Sequence, residues 1–586
     1  MRTPCAALLV LLSCAHAQSP AAVSAAGADA TAAAKPARPA WISRSDENAR
    51  LLLDVRAQFE PEQAAHVGLT GLDEKVTDLA PGHRERLREA LQKARAELQA
   101  RASRETDPLV AQDLAILVRS ADLDLRGSEL TERLQVPSGY AARVIFSGVH
   151  GLLDPQIEAS RRPAALVRLR RYTGLEPGTT PLTVRMEEEM REAMAKPGRA
   201  RPSRIDLENQ LQSTRVIVDG IGKLFAEYKL EAGEPLAKLA EQLDAHDAFV
   251  RREILPQARE DFRLPPELYA YLLERVGVDL PVDKLTALAH QSFTEIQGEM
   301  QKVAAQVARS RGLPDADYRA VIRELKKEQI PDDQVLAHYN ARLADLEKII
   351  RDHDLVTLPS RPARIRLGTP AENAQQPAPH MNPPRLIGNT GEQGEFVLPL
   401  SVPGKVDGKY DDFNFAAASW TLTAHEARPG HELQFATMVE RGVSLARAIF
   451  AFNSVNAEGW GLYAESIALP YMSPEGQLIS LQLRLQRAAR AFVDPELQQG
   501  KWTPASAREF LQKEVGLSPA FASAEVDRYT FRAPAQATSY FYGYVRLLDL
   551  RREVEARGGF DARRFHDAVL AQGLLPPDLL RKALLQ

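Results

Sequence analysis

The residues best suited to chemistry in this chain are histidines and glutamates in two neighbouring segments. His425 and Glu426 are adjacent and His431 follows six residues after His425, while Glu458 and Glu465 lie further along the chain. Zinc-dependent hydrolysis needs imidazoles and usually a carboxylate to hold the ion, and a further carboxylate that takes a proton from water. All of these roles can be filled within about forty residues, so the sequence indicates a hydrolytic zinc site.

The spacing of the two histidines excludes a regular helix as their scaffold. At about 100° per residue, side chains six apart point about 120° away from each other, whereas the common zinc motif places its histidines four apart on one face. Pro429 removes a helical hydrogen bond to the carbonyl of His425, and Gly430 accepts unusual dihedral angles. We therefore predict a bulge or broken turn that swings His431 back toward His425.

The second segment, AEGWGLYAES, places two glutamates on one side of a predicted helix. Glu458 and Glu465 are seven residues apart, which puts them about 10 Å apart along the axis. One can bind a metal ion while the other orients a ligand histidine. The alternatives are a solvent-exposed Glu465, and a helix that starts at Pro429 beside two incidental surface histidines.

Four blocks of the sequence resemble a known bacterial family. In chain order they are HEARPGHELQ, AEGWGLYAES, RYTFRAPAQATSYFYG and FHDAVLAQGLLPP. Their order and pattern resemble those of the bacterial domain of unknown function 885 family. That family is similar to helical gluzincin metallopeptidases of the thimet-oligopeptidase and angiotensin-converting-enzyme type, in which a downstream glutamate is the third zinc ligand.

Carried over position by position, the resemblance implies four functional residues. His425, His431 and Glu458 bind zinc, and Glu426 is the general base. Glu426 takes the proton of a zinc-activated water molecule and passes it to the leaving amine. The resemblance thus implies a zinc metallopeptidase with peptide substrates. Its fold is expected to be mainly α and two-lobed, with an active-site cleft and a small β-sheet near the zinc-binding helix.

Two positions depart from the family pattern. Glu432 stands where family members commonly have a second histidine, and Gln498 takes the place of a histidine in a DTGLH-like stretch. Neither departure removes a ligand that the resemblance implies. Two further histidines are not predicted to bind metal. His380 lies in a Pro/Asn-rich region and is interpreted as a loop histidine, and His566 as a packed or capping residue near a helix end.

A helical pattern near the C-terminus supplies further candidates. Gln536, Tyr540 and Gly543 fall at spacings that can share a helix face, and Arg546 begins a basic stretch. A tyrosine hydroxyl can donate to the oxyanion of a transition state, so we predict this role for Tyr540. Gln536, Arg546 and Glu465 are predicted to support the site or to bind substrate. Aromatic core packing is the alternative for Tyr540.

Amphipathic helical patterns dominate the chain and predict an N-terminal helical region, 41–355, and a catalytic region, 356–586. Between Thr357 and Lys409 the segments RIRLGT and GEFVLPLSV predict short strands, which we expect beside the zinc-binding helix. An edge strand there could bind an extended peptide through its backbone.

The N-terminus predicts export. Residues 1–17 have the charge, short apolar run and small-residue site of a signal peptide, and 18–40 form an Ala/Pro-rich tether. We favour cleavage that leaves Gln18 first, and a lipidated Cys14 is the alternative. Either outcome predicts a periplasmic or secreted protein without a membrane span. Because the only other cysteine is Cys5, the mature chain has no intramolecular disulfide.

The charge of the chain is nearly balanced, with 74 basic and 78 acidic residues. This balance gives no indication of nucleic-acid binding. Two rivals to the peptidase remain: a non-catalytic periplasmic peptide- or metal-binding (lipo)protein, and a zinc amidase that acts on a non-peptide bond. Glu426 argues against the first, because metal binding alone needs no general base. The sequence leaves the oligomeric state open.

Overall fold

The computed structural model describes residues 39–376, 378–400 and 411–585. The predicted signal peptide and nearly all of the predicted tether lie outside these residues. The amphipathic patterns form a mainly helical fold, as predicted. The helices that precede the sheet are α1 (Ala40–Phe59), α2 (Pro61–His66), α3 (His83–Ala102), α4 (Pro108–Leu134), α5 (Ala141–His150), α6 (Ala164–Tyr172), α7 (Leu182–Ala195), α8 (Arg204–Glu227), α9 (Gly233–Phe249), α10 (Pro266–Val276), α11 (Val282–Arg311), α12 (Tyr318–Lys326) and α13 (Val335–Asp352).

The remaining helices follow the first strand in the chain, and several of them carry residues of the candidate site. They are α14 (Pro370–Gln375), α15 (Ala418–Leu422), α16 (His431–Arg441), α17 (Ser454–Ala468), α18 (Pro474–Gln498), α19 (Pro504–Phe510), α20 (Pro519–Asp527), α21 (Thr538–Glu555), α22 (Ala562–Ala571) and α23 (Pro577–Leu585). Capping residues explain where several of them begin. Ser473 accepts a hydrogen bond from Gly476 N at the start of α18, and Pro474 occupies the first helical position.

Three short strands form the predicted small sheet. They are β1 (Arg364–Leu367), β2 (His380–Asn382) and β3 (Glu395–Leu398). The order is β1-β3-β2, with β1 parallel and β2 antiparallel to β3. Both β2 and β3 contact the segment Thr423–Ala427, which carries His425. The sheet therefore lies beside the predicted metal-binding histidines.

Two large apolar clusters build the core around the site. One packs α10 to α13 against α18 and its neighbours, and the other packs α1, α3 and α4 against α16, α17 and α22. Each cluster combines residues from before and after position 355, so both predicted regions share a core. Among the described residues, no helix is long and apolar enough to cross a membrane.

Candidate metal centre

A break in the helix brings the two histidines together. His425 lies in a π-helical turn, Thr423–Ala427, and α16 begins at His431. A Cβ on Gly430 would lie 1.8 Å from the carbonyl oxygen of His425, so only glycine allows the chain to fold back this closely. The predicted broken turn is confirmed. The two imidazole centroids are 4.6 Å apart.

Neighbouring side chains hold this turn in place. Trp460 Nε1 donates to the carbonyl of Pro429 at 3.1 Å and to that of the next residue at 3.2 Å. Arg428 donates to Glu432 Oε2 at 2.6 Å and to Glu347 Oε1 at 2.7 Å. Glu432, where family members commonly have histidine, thus binds Arg428 and is not part of the candidate metal cluster.

Three buried side chains converge on one point. His425, His431 and Glu458 each offer a ligand atom, and these atoms lie within 4.8 Å of one another. Glu458 Oε2 is 3.6 Å from His425 Nε2 and 3.3 Å from His431 Nε2. Ligands at about 2.1 Å from a tetrahedral zinc ion are about 3.4 Å apart. The two distances from Glu458 are close to this value, and the two histidine nitrogens lie within 4.8 Å of each other.

Glu465 fixes the orientation of His425. Nδ1 of His425 donates to Glu465 Oε1 at 2.7 Å, which leaves Nε2 free to bind a metal ion. Thr421 donates to the second oxygen of Glu465. Burial works to raise the pKa of Glu465, but the hydrogen bond from His425, the nearby charge of Arg487 and the hydrogen bond from Thr421 together hold the pKa below its ordinary value. Glu465 is fully buried, so the exposed alternative is excluded.

Two glycines set the crossing of α17 and α21. A Cβ on Gly459 would lie 2.6 Å from the backbone of Gly543, and a Cβ on Gly543 would lie 2.0 Å from the carbonyl oxygen of Val455. This close backbone contact holds Glu458 on α17 opposite Tyr540 on α21. The ring of Tyr540 stacks 6.2 Å from that of His425.

The environment of Tyr540 makes its hydroxyl a hydrogen-bond donor. Arg528 Nη2 donates to the phenol oxygen at 2.9 Å, so the phenol proton remains free to donate elsewhere. Burial raises the pKa of Tyr540, which keeps it protonated. Burial also raises the pKa of Glu426, which strengthens this carboxylate as a base. Both residues line the same cavity.

The structure places the other predicted residues outside this cavity. Gln536 accepts from Arg528 and donates to Ser454 Oγ at 2.9 Å, so it reaches Tyr540 only through Arg528. Arg546 contacts Tyr542 at 2.9 Å and pairs with Asp578.

Two further positions from the sequence patterns are structural. His566 Nδ1 donates to the carbonyl of Leu355 at 2.7 Å, and its Nε2 accepts from Tyr463 at 2.8 Å, as expected for a packed histidine. Gln498 accepts from Leu264 N at 2.9 Å and donates to the carbonyl of Tyr529 at 3.0 Å. Neither lines the cavity.

The cavity that contains the site measures 110 Å³ and has residues to which the sequence analysis assigned no functional role. They include apolar side chains, an arginine-rich wall and a histidine: Phe413, Phe435, Phe452, Phe521, Gln486, Arg487, Arg490, Glu525, Arg528 and His380. His380 was predicted to lie in a loop, but it is the first residue of β2 and is buried. Its Nδ1 donates to the carbonyl of Ala378 at 2.9 Å.

Two solved structures share this fold. A candidate lipoprotein from Colwellia psychrerythraea superposes with a TM-score of 0.73 at 19% identity and covers 92% of this chain and 98% of its own. A candidate lipoprotein of unknown function from Shewanella oneidensis has a TM-score of 0.68 at 18% identity and covers 94% and 100%. No curated protein sequence matches. Residues 61–584 match the family described as "Bacterial protein of unknown function (DUF885)", and the chain therefore belongs to this family.

Proposed function

We propose that this protein is an exported, zinc-dependent metallopeptidase. One observation carries the proposal: His425, His431 and Glu458 converge in a buried cavity that Glu426 also lines. A site that only stores metal gains nothing from an additional buried carboxylate beside its ligands. The arrangement is also the one implied by the resemblance to helical gluzincin metallopeptidases.

The three candidate ligands suit zinc. Two imidazole nitrogens and one carboxylate oxygen are a common donor set of catalytic zinc sites, which keep a fourth position open. When bound, zinc polarises a carbonyl group and lowers the pKa of water. Glu465 supports this role, because its hydrogen bond orients His425 for coordination through Nε2.

The residues around the candidate ligands can carry the proton transfers of amide hydrolysis. Glu426 takes a proton from water as the oxygen attacks the carbonyl carbon, and it returns that proton to the amine as the C–N bond breaks. Tyr540 donates its phenol proton as a hydrogen bond to the carbonyl oxygen, where negative charge develops. The products are a carboxylic acid and an amine, and no oxidation or reduction is involved.

The lining of the cavity favours a peptide as the substrate. Strand β2 forms one edge of the described sheet, and its residues His380 and Met381 line the cavity. An extended peptide can add to such an edge through backbone hydrogen bonds. The aromatic residues Phe413, Phe435 and Phe521 offer apolar contacts for its side chains.

A non-catalytic, membrane-anchored binding protein is the second candidate. It is favoured by the two structural neighbours, which are both described as candidate lipoproteins. Under this alternative, lipidation at Cys14 anchors the protein and the cavity holds a peptide or a metal ion without turnover. The third candidate is a zinc amidase that acts on a non-peptide bond. It differs from the peptidase only in its substrates.

Metal analysis and substrate profiling test the proposal together. The purified mature protein is expected to contain one zinc ion and to cleave members of a mixed peptide library, as read by mass spectrometry. Glu426→Gln keeps the volume of the side chain but cannot accept the proton, so turnover should fall by about 100-fold or more at unchanged zinc content. Full zinc loading without hydrolysis of any peptide would overturn the peptidase in favour of the binding protein.

A further inference from the structure

Three arginines form one wall of the cavity. Arg487 and Arg490 lie on α18, and Arg528 begins a π-helical turn, Arg528–Arg532. Their guanidinium carbons are 5.8, 4.5 and 5.2 Å from the ring centroid of Tyr540, in that order. This clustering places three cations within reach of the proposed catalytic tyrosine.

Two of the three arginines have partners in the protein. Arg490 donates to both oxygens of Glu525, at 2.6 and 2.8 Å. Arg528 donates to Gln536 and Tyr540, and its nearest carboxylate is again Glu525, at 3.7 Å. A single carboxylate on this wall therefore serves two guanidinium groups.

Among the described residues, no carboxylate lies within ion-pair distance of Arg487, and Glu465 and Glu525 act on its charge only from further away. Arg487 Nη1 donates to the carbonyl of Leu483 at 3.3 Å and to Gln486 Oε1 at 3.0 Å, both neutral groups. Within the described part of the chain, no acceptor reaches its buried Nε, and none reaches the buried Nε2 of Gln486. Burial lowers the pKa of Arg487, which shows the cost of this position for a cation. A buried cation of this kind calls for an anion.

An anion that formed a direct ion pair with Arg487 would lie near the proposed reaction centre. The ring of His425 is 6.2 Å and the guanidinium carbon of Arg487 is 5.8 Å from the same Tyr540 ring, so these two groups are at most about 12 Å apart. An extended residue spans about 3.3 to 3.6 Å. An anionic group of a peptide substrate that binds Arg487 would therefore lie about one to three residues from the bond that is cut.

We propose that Arg487 and Gln486 bind the C-terminal carboxylate of a peptide, so that the protein releases short fragments from C-terminal ends. Arg487 offers charged donors in a planar fork that matches a carboxylate, and the amide of Gln486 adds a neutral donor. This inference rests on the proposed peptidase function. An acidic side chain near the cut bond has the same chemistry, and the experiment separates the two sources.

The test compares matched short peptides with the zinc-loaded mature protein. One set ends in a free carboxylate, the second is identical but C-terminally amidated, and the third is amidated with an aspartate or glutamate near its end. Wild type should cleave the free acids at least about 10-fold more efficiently than the amides, since a hydrogen bond to a charged group is lost. Selective cleavage of the third set would assign the site to an acidic side chain and overturn the C-terminal assignment.

Variants connect this selectivity to one side chain. Arg487→Gln should lower kcat/KM for the free acids about 10- to 100-fold more than it lowers kcat/KM for the amides, so that the preference for a free carboxylate is lost. Arg487→Lys restores the charge without the planar fork and should recover part of the loss. The matched control is Arg484→Gln, because Arg484 lies on the same helix, over the ring of Tyr544, and does not line the cavity. It should keep the wild-type selectivity.

A binding measurement separates this inference from the proposed function. Fluorescently labelled free-acid and amidated peptides are titrated into the zinc-loaded Glu426→Gln protein, in which turnover is blocked. If the Glu426→Gln protein binds the free acid more tightly than the amide but wild type cleaves neither peptide, the carboxylate site is supported and the peptidase is rejected. Equal binding and equal cleavage of both sets would retain the peptidase and reject the carboxylate site.

Discussion

Glu465 accepts a hydrogen bond from Nδ1 of His425 at 2.7 Å, and both residues are buried. This contact determines which nitrogen of His425 is free for a metal ion, because the proton must stay on Nδ1. Glu458 approaches the other nitrogen, Nε2, at 3.6 Å. One helix, α17, thus supplies a carboxylate for each side of the same imidazole, seven residues apart.

Weakening this contact should reduce metal affinity without removing a ligand. Glu465→Gln is expected to lower zinc affinity by about 10- to 100-fold, because the uncharged amide holds and polarises the imidazole less strongly. Thr421→Val removes only the hydrogen bond to Glu465 and should have a smaller effect in the same direction. Competition with a chelator measures both affinities, and a wild-type value for Glu465→Gln would refute this role.

A methyl group at Gly461 should displace His425. A Cβ there would lie 2.6 Å from Cε1 and 2.9 Å from Nε2 of the imidazole, so the ring must move. We expect Gly461→Ala to lower zinc affinity at least about 10-fold and the free energy of unfolding by about 1 to 3 kcal/mol. Gly298→Ala on α11 is the control, since a Cβ at this position would meet no other described part of the chain within 4 Å, apart from its neighbours and the backbone of its own helix. It should raise stability by about 0.5 to 1 kcal/mol and leave zinc binding unchanged.

The histidine and glutamate cluster could be predicted from the sequence because its chemistry is local. His425, Glu426 and His431 lie within one short segment, and Pro429 and Gly430 indicated that the helix must break there. Which carboxylate approaches which nitrogen depends on how α17 packs against the π-helical turn. That choice is a property of tertiary packing. The family resemblance implied Glu458 as a ligand, but it did not indicate which nitrogen of His425 each glutamate approaches.

The arginine wall could not be predicted in the same way. Arg487 and Arg490 are three residues apart on a helix, which in a sequence is typical of a solvated face. They are buried because α11, α15 and α21 pack against α18, together with the turn at Arg528. Arg546 is the opposite case, because it was predicted to support the site or to bind substrate but does not line the cavity. It follows Tyr540 by six residues, which turns it about 120° away on the helix, toward Asp578 rather than the cavity.

Removing the Tyr540 hydroxyl should affect turnover more than binding. Tyr540→Phe is expected to lower kcat by about 10- to 1000-fold with a smaller change in KM, because the hydroxyl stabilises charge that develops only in the transition state. Zinc content should stay the same. Tyr542→Phe, on the same helix, removes a hydroxyl that contacts Asp279 outside the cavity and should keep wild-type kcat. Equal effects of both variants would exclude an oxyanion role for Tyr540.

The buried His566 should make the metal-free fold sensitive to mild acid. Burial lowers its pKa from 6.5 to about 4, although the carbonyl of Leu355 acts in the opposite direction. Between these pH values the unfolded chain binds a proton at His566 that the folded chain does not bind. The free energy of unfolding is therefore unaffected by this residue above pH 6.5 and falls as the pH drops toward 4. The expected loss in the free energy of unfolding from about pH 8 to about pH 5 is about 2 kcal/mol from this residue alone.

Variants assign this loss to His566. At about pH 8 the His566→Gln protein should have a lower free energy of unfolding than wild type, but it should lose less of it on going to about pH 5. The exposed control His353→Gln should keep the pH dependence of wild type. Thermal denaturation of chelator-treated protein measures all three, and an identical loss in His566→Gln and wild type would exclude His566 as the source.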